Sequence, residues 1–266
     1  RKAAAAGSAK AAPTRTNDPA RTMAGILEVA TKEFADKGLS GARIDAIAEA
    51  THTSKRMIYY YYGSKEGLYL AVLEESYRRM RQIEGDLHLD DLEPEAALRR
   101  LVEFTFDRHA DNEDFIRLVM NENIQQGTFL AQSTSIQQLN VPAIESIRRL
   151  YQRGVEQGVF REGLDPVDIH ASISALTFFN VSNRHTCGLI FKDKARSAQS
   201  ADRRASITDM VVRFVHASPL APNVTLYRAD VAQPNATNVA YLSASNYDYT
   251  STAAARSSSA VPTDLN

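Results

Sequence analysis

Residues 44–65 read IDAIAEATHTSKRMIYYYYGSK, a spacing that leaves room for little besides two short helices joined by a three-residue turn. Ile44, Ile47 and Ala48 recur at i, i+3 and i+4, one buried helical face, which puts Asp45 and Glu49 outside. Thr51, His52 and Thr53 break the pattern, and Ser54 is placed to cap a second helix by accepting a backbone N–H that has no intrahelical partner. On that helix Ile58 and Tyr62 share one face. Lys55, Arg56, Met57, Tyr59 and Tyr60 cover the rest, a set for which a purely core-forming helix has no use. Gly63 tolerates the positive φ of a helix end, and Ser64 caps a third helix whose first turn holds Lys65.

A helix-turn-helix of this kind docks on DNA by laying its second helix in the major groove, where side chains near the N-terminus reach base edges. The candidate DNA-binding residues are Arg43, Ser54, Lys55, Arg56, Met57, Tyr59, Tyr60 and Lys65, the last facing the phosphate backbone. A lone Lys-Arg pair is ordinarily a solvated surface, and consecutive tyrosines are ordinarily core. The turn, the caps and the preceding helix together favour DNA. The same residues resemble the DNA-binding head of the TetR family of bacterial transcription regulators. Ile47-Ala48, the short turn, Ser54-Lys55, Tyr59, the aromatic Tyr62 and Ser64-Lys65-Glu66 match that family's run, within a head covering about residues 21–73. Two positions depart from it. His52 stands where glycine is usual, though histidine tolerates the left-handed region better than most residues. Tyr62 stands where phenylalanine is usual, and its hydroxyl needs a partner. The resemblance implies a homodimer, a double-stranded DNA operator and a small-molecule effector held in a second, helical domain.

Composition fits a regulator of this type. The 266 residues are 44% hydrophobic, enough for a sizeable core. A formal net charge of -1 argues against coating nucleic acid with the whole surface, so DNA contact must come from local charge. The single cysteine, Cys187, precludes an internal disulfide and suits a reducing compartment. No apolar run approaches a membrane span, and the alanine-rich start is too polar for the apolar stretch of a signal peptide. The expected location is the cytoplasm, with no membrane partner.

An all-α fold is expected throughout. Residues 1–20 read as a flexible basic arm, 21–73 as the helix-turn-helix head, 74–217 as a helical ligand-binding and dimerisation domain, and 218–266 as a disordered or extended tail with a conceivable strand near 239–242. A first helix, with Ile26, Ala30 and Phe34 inward, ends at Gly38, and a helix over 65–84 leads out of the head. In the second domain, helices are expected to start at Pro94, Asp111, Pro142 and Asp165-Pro166, with a last one over 207–215. By the resemblance, the last two pair across a two-fold axis, the alternative being that Ile173, Leu176 and Phe179 pack within one subunit. Pockets combine apolar walls with few polar groups, which makes Phe106, His109, Met120, Asn123, Tyr151, Phe178 and Asn180 the candidate ligand-binding residues.

An enzyme is the rival class. No nucleophile elbow, phosphate-cradling glycine loop, metal-spaced histidine pair or cysteine cluster occurs, so no catalytic residue, metal site or cofactor is expected. Cys187 beside His185 leaves open a thiol-dependent enzyme or redox sensor, against the commoner case of a buried inert cysteine. A constitutive DNA binder without effector is the third possibility. The favoured reading is a regulator, most simply a repressor, released from a pseudo-palindromic operator by a small molecule.

Overall fold

The structure, a computed structural model, describes residues 18–191 and 201–218. Over these residues the chain forms ten α-helices, two short 3-10 turns and an isolated antiparallel bridge between Phe160 and His216. The tail from 219 and most of the expected basic arm lie outside the described residues, as does the strand expected near 239–242.

Helix α1 spans Pro19–Gly41. Asp18 caps it, accepting the N–H groups of Ala20 and Arg21, and Pro19 sits at the start, where a missing N–H costs nothing. Gly38 breaks the helix at the expected residue, with φ 65°. Three more helices complete the head: α2 (Ile44–Ala50), α3 (Lys55–Tyr62) and α4 (Lys65–Gly85). Their inward residues close one core: Ile26, Ala30 and Phe34 of α1, Ile47 of α2, Ile58 of α3, and Leu68, Tyr69 and Val72 of α4. At roughly 1.5–3 kcal/mol per fully buried large apolar side chain, that core holds a four-helix head that no single short helix could stabilise. Leu118 and Ile136, from later helices, belong to the same cluster, so the core of the head extends into the second domain.

The second domain comprises α5 (Pro94–Asp111), α6 (Glu113–Ile124), α7 (Thr134–Glu156), α8 (Pro166–Ser182), α9 (Arg184–Phe191) and α10 (Ala201–Val215). Leu98, Leu101, Val102 and Phe106 of α5 pack against Ile147 and Leu150 of α7, Ile169 and Ile173 of α8, and Ile207 and Val211 of α10. Arg204 of α10 grips Asp107 of α5 with two hydrogen bonds of 3.0 Å.

Four helix starts or segments differ from the sequence expectation, among them the last helix, which begins at Ala201 rather than at 207. Asp111 closes α5 rather than opening α6, which begins after Asn112. Pro142 lies inside α7, more than two turns past its true start at Thr134, where Ser133 accepts the Ile136 N–H at 3.1 Å. An interior proline costs about 3 kcal/mol. Here the flanking turns are anchored by buried Ile136, Ala143 and Ile147, and Asn140 adds a side-chain bond to the Ile136 carbonyl. Helix α9 has no counterpart in the sequence expectation; none of its residues is buried, so it offers no apolar face to read.

Candidate nucleic-acid interface

The turn between α2 and α3 is built as its residue types suggest. His52 takes φ 52°, the left-handed position where a glycine would be unstrained. Ser54 Oγ accepts the Met57 N–H at 3.2 Å, and Gly63, at φ 76°, closes α3. Ser64 then accepts the Gly67 N–H at 3.0 Å to start α4. Gly67 itself carries no sequence signal that sets it apart. A Cβ there would lie 2.1 Å from the Tyr62 carbonyl oxygen, so α3 and α4 can meet this closely only across a glycine.

Rotation of α3 is set by its two anchors. Ile58 is fully buried. Tyr62 is half-buried and donates its hydroxyl to the Met23 carbonyl of α1 at 3.0 Å, the partner that its departure from phenylalanine demands. Burial pushes that phenol up to about 12, so it stays a donor across the working pH range. With those side chains inward, Lys55, Arg56, Tyr59 and Tyr60 are exposed, Tyr60 at 77% and Tyr59 at 43%, and Met57 is partly so. The exposed face of α3 is therefore shared equally between cations and aromatics.

The two expected lysines are already engaged. Lys55 forms an ion pair with Asp45 across the turn, and that hydrogen-bonded ammonium holds the Asp45 carboxyl below its usual value. Lys65 Nζ donates to the Ser40 carbonyl at 3.3 Å. Arg43 is exposed, and its backbone N–H is fixed by Glu33 Oε1 at 3.0 Å. Charges in the head nearly cancel: over 21–73, Arg21, Lys32, Lys37, Arg43, Lys55, Arg56 and Lys65 stand against Glu28, Glu33, Asp36, Asp45, Glu49 and Glu66, one positive charge in excess. The pairing of Asp45 with Lys55 is not legible in the sequence, because ten residues and a turn separate them and no helical spacing rule joins them.

In the second domain the candidate ligand residues do not form one group. His109, Met120 and Phe178 come together near Phe115 and Val181, with the His109 ring edge-on to Phe178 at 6.1 Å. His109 is buried, and burial pulls its imidazole down to about 4, leaving it neutral. Thr177 Oγ1 lies 2.9 Å from His109 Nδ1 and 2.8 Å from the Ile173 carbonyl oxygen, so the hydroxyl links the ring to the backbone of α8. Phe106 lies in the other apolar cluster. Asn123 is exposed and bonds back to the Val119 carbonyl at 2.8 Å. Tyr151 stacks on Phe160 and donates to the Arg161 carbonyl at 2.8 Å, and Asn180 is half-buried on α8.

A cleft of about 830 Å³ opens elsewhere, between the last two turns of α4, the 88–91 turn and α7. Leu101, Leu139 and Ile147 contribute apolar lining, and Arg81, Glu84 and Gln138 contribute polar lining. Arg81 is paired with Glu84 and donates from Nε to Asn140 at 2.9 Å, which ties α4 to α7 beside the cleft. None of the seven candidates lines it; Met120 lines a smaller cavity of about 250 Å³ beside α6 and α9. Cys187 is partly exposed, not buried. Among the described residues no cluster of three His, Cys, Asp or Glu could hold a metal ion, and no helix is long and apolar enough to cross a membrane.

Residues 26–72 match the family described as bacterial regulatory proteins, tetR family, and residues 94–212 match a tetracyclin repressor-like C-terminal domain. The chain is 35% identical over 200 residues to the HTH-type transcriptional repressor NicS of Pseudomonas putida, covering 75% of this chain and 94% of that one. The HTH-type transcriptional repressor SCO4008 of Streptomyces coelicolor is 34% identical over 139 residues, 52% of this chain and 69% of the relative. Among solved structures, the transcriptional regulator SCO4942 of Streptomyces coelicolor superposes with a TM-score of 0.56 at 26% identity, over 73% of this chain and 98% of that one.

Proposed function

The chain belongs to the TetR family of DNA-binding transcription regulators, and we propose that it is a repressor: a homodimer that holds a pseudo-palindromic operator through α3 and releases it when a small molecule enters the second domain. The observation that carries the DNA half is the rotation of α3, which buries Ile58 and turns Arg56, Tyr59 and Tyr60 outward. In this reading Arg56 and Tyr60 meet base edges, Lys55, Tyr59 and Arg43 add backbone or base contacts, and Lys65, at the head of α4, meets a phosphate. Its site of action is the cytoplasm, where bacterial DNA lies.

The effector is assigned to the 830 Å³ cleft, a volume within the range of small-molecule sites. Helix α4 starts against α3 and ends in the cleft wall, so a ligand wedged between α4 and α7 bears on the helix that carries the head. Coupling requires that the ligand prefer the released conformation over the DNA-bound one. For the dimer, α8 and α10 offer exposed Ala171, Ala175, Phe179, Met210 and Phe214.

Selection of bound duplexes from a random library tests the first half. Wild-type protein should enrich a two-fold motif, and Arg56→Ala or Tyr60→Ala should relax one position per half-site, at on the order of 1–3 kcal/mol each. An unchanged motif in both variants places the reading surface elsewhere. For the second half, spin labels on α3 of each subunit should report recognition helices about 34–36 Å apart on DNA and a different separation with effector.

A further inference from the structure

The ion pair across the turn bears on how a head with a net charge of only about one tells its operator from other DNA. We infer that Asp45 is a specificity determinant: by holding the Lys55 ammonium, it turns a mobile cation into a directed donor and withholds it from the phosphates of unrelated sequence. Lys55 is the first residue of α3 and Asp45 stands in the first turn of α2, so the pair spans the two halves of the helix-turn-helix on its solvent side, each side chain about half exposed. Arg43, next in the chain to α2, adds its field to the same carboxylate.

The physical argument turns on what each kind of DNA offers Lys55. An ammonium has three donors, so Lys55 can keep Asp45 on one while another reaches a base-edge acceptor at fixed geometry. On its operator, where α3 is seated, the pair therefore persists and aims the side chain. Unrelated DNA binds through phosphates and counterion release alone. There a Lys55 shared with Asp45 brings no net positive charge to a phosphate, and to neutralise one fully it must leave Asp45, whose abandoned carboxylate then faces the polyanion. Asp45 thus penalises the wrong complex more than the right one, a repulsive element that sharpens discrimination. Tyr59 and Tyr60 suit this division, because they supply uncharged contacts that do not strengthen phosphate binding generally, and Arg56 is the remaining exposed cation of α3.

Binding of the full chain to its selected duplex and to a shuffled duplex of the same composition, each across a salt series, tests the inference. Asp45→Asn should strengthen binding to the shuffled duplex roughly tenfold at 0.1 M salt and steepen its log–log salt slope by about one, the signature of one more phosphate contact. Affinity for the selected duplex should change less than threefold, so the specificity ratio falls. In a Lys55→Gln background the same substitution should lose its effect, and Glu49→Gln, an exposed acid on the same helix, should leave the ratio unchanged. The inference rests on α3 being the DNA-reading helix. If Arg56→Ala and Tyr60→Ala leave the selected duplex bound as before, that reading fails and carries the inference with it; if Lys55→Gln alone does so, α3 reads without Lys55 and the inference alone is overturned. If Lys55→Gln weakens binding while Asp45→Asn shifts both duplexes equally, or persists without Lys55, Asp45 is ordinary field charge and the inference alone is overturned. Thermal unfolding of each variant separates either result from loss of fold.

Discussion

The head and the second domain secure their polar groups over different distances along the chain. In the head, Ser54 reaches Met57 and Ser64 reaches Gly67, and glycines at positive φ close α3 and break α1. Each of these devices acts within one helical turn. In the second domain, Thr177 meets His109, Arg204 grips Asp107, and Arg153 closes the 3-10 turn by donating to the Leu89 and Asp90 carbonyls at 2.9 and 2.7 Å. Those contacts join residues 60 to nearly 100 positions apart. A head built from local devices keeps its shape when the rest of the protein shifts, whereas a domain tied by long-range polar contacts can change shape by exchanging them.

Glycine substitutions give the largest test of that contrast. A Cβ on Gly67 would strike the Tyr62 backbone oxygen at 2.1 Å, and one on Gly154 would strike the Phe160 ring at 1.9 Å. Both alanine variants should lose about 2–3 kcal/mol of stability, the usual cost of overpacking. The consequences should diverge. Backbone cannot swing aside, so Gly67→Ala must displace α3 from α4 and lose operator binding. The Phe160 ring can rotate into its neighbours, so Gly154→Ala should keep operator binding at temperatures below its transition. Denaturant midpoints and operator titrations decide it, and equal loss of binding in both variants would break the contrast.

Acid provides the next test, because His109 lies in the second domain alone while His52 of the head is exposed. Burial lowers the folded pKa of His109 to about 4, below the ordinary 6.5, with the Arg81 charge and His170 acting in the same direction. Between those values the unfolded chain binds a proton that the folded chain does not. Stability is therefore full above pH 6.5 and is lost as pH falls towards 4, by on the order of 2–3 kcal/mol. Urea midpoints at pH 7 and about pH 4.5 should show that loss in wild type and less of it in His109→Gln. An identical acid loss in both would assign it to His170, whose pKa burial also lowers, or to carboxylates instead.

The same distinction in reach explains what could be read in the amino-acid order. Ser54, Gly63 and Ser64 announce the boundaries of α3 and α4 because a cap and its target lie three residues apart. Pro142 misleads, since a proline that usually opens a helix here sits inside one, carried by tertiary burial of Ile136 and Ile147. Helix α9 has no buried face to announce it. The cleft beside α4 is illegible for a related reason: Arg81, Leu101 and Ile147 are each ordinary helix residues, and only packing sets them around one space. His109 and Thr177 are equally invisible as a pair, being on separate helices with no spacing rule between them.

Tyr62 makes a far-reaching contact inside the head, and so provides the finest test. Its hydroxyl reaches across 39 residues to the Met23 carbonyl, farther than Lys65 reaches to Ser40 or Lys55 to Asp45. The contrast holds if this bond adds little. Inside α1 the Met23 carbonyl already accepts a helical N–H from four residues on, so removing the tyrosine proton leaves no orphan acceptor. The hydroxyl is also only half-buried, which favours the lower end of the roughly 0.5–1.5 kcal/mol that a net hydrogen bond contributes. Tyr62→Phe should therefore lower stability by about 0.5 kcal/mol, with Ile58 still fixing the rotation of α3. Operator affinity should stay within threefold of wild type. A larger fall in affinity at unchanged secondary structure would mean that the Met23 contact sets the angle at which α3 meets DNA, and the head would then depend on long-range geometry as the second domain does.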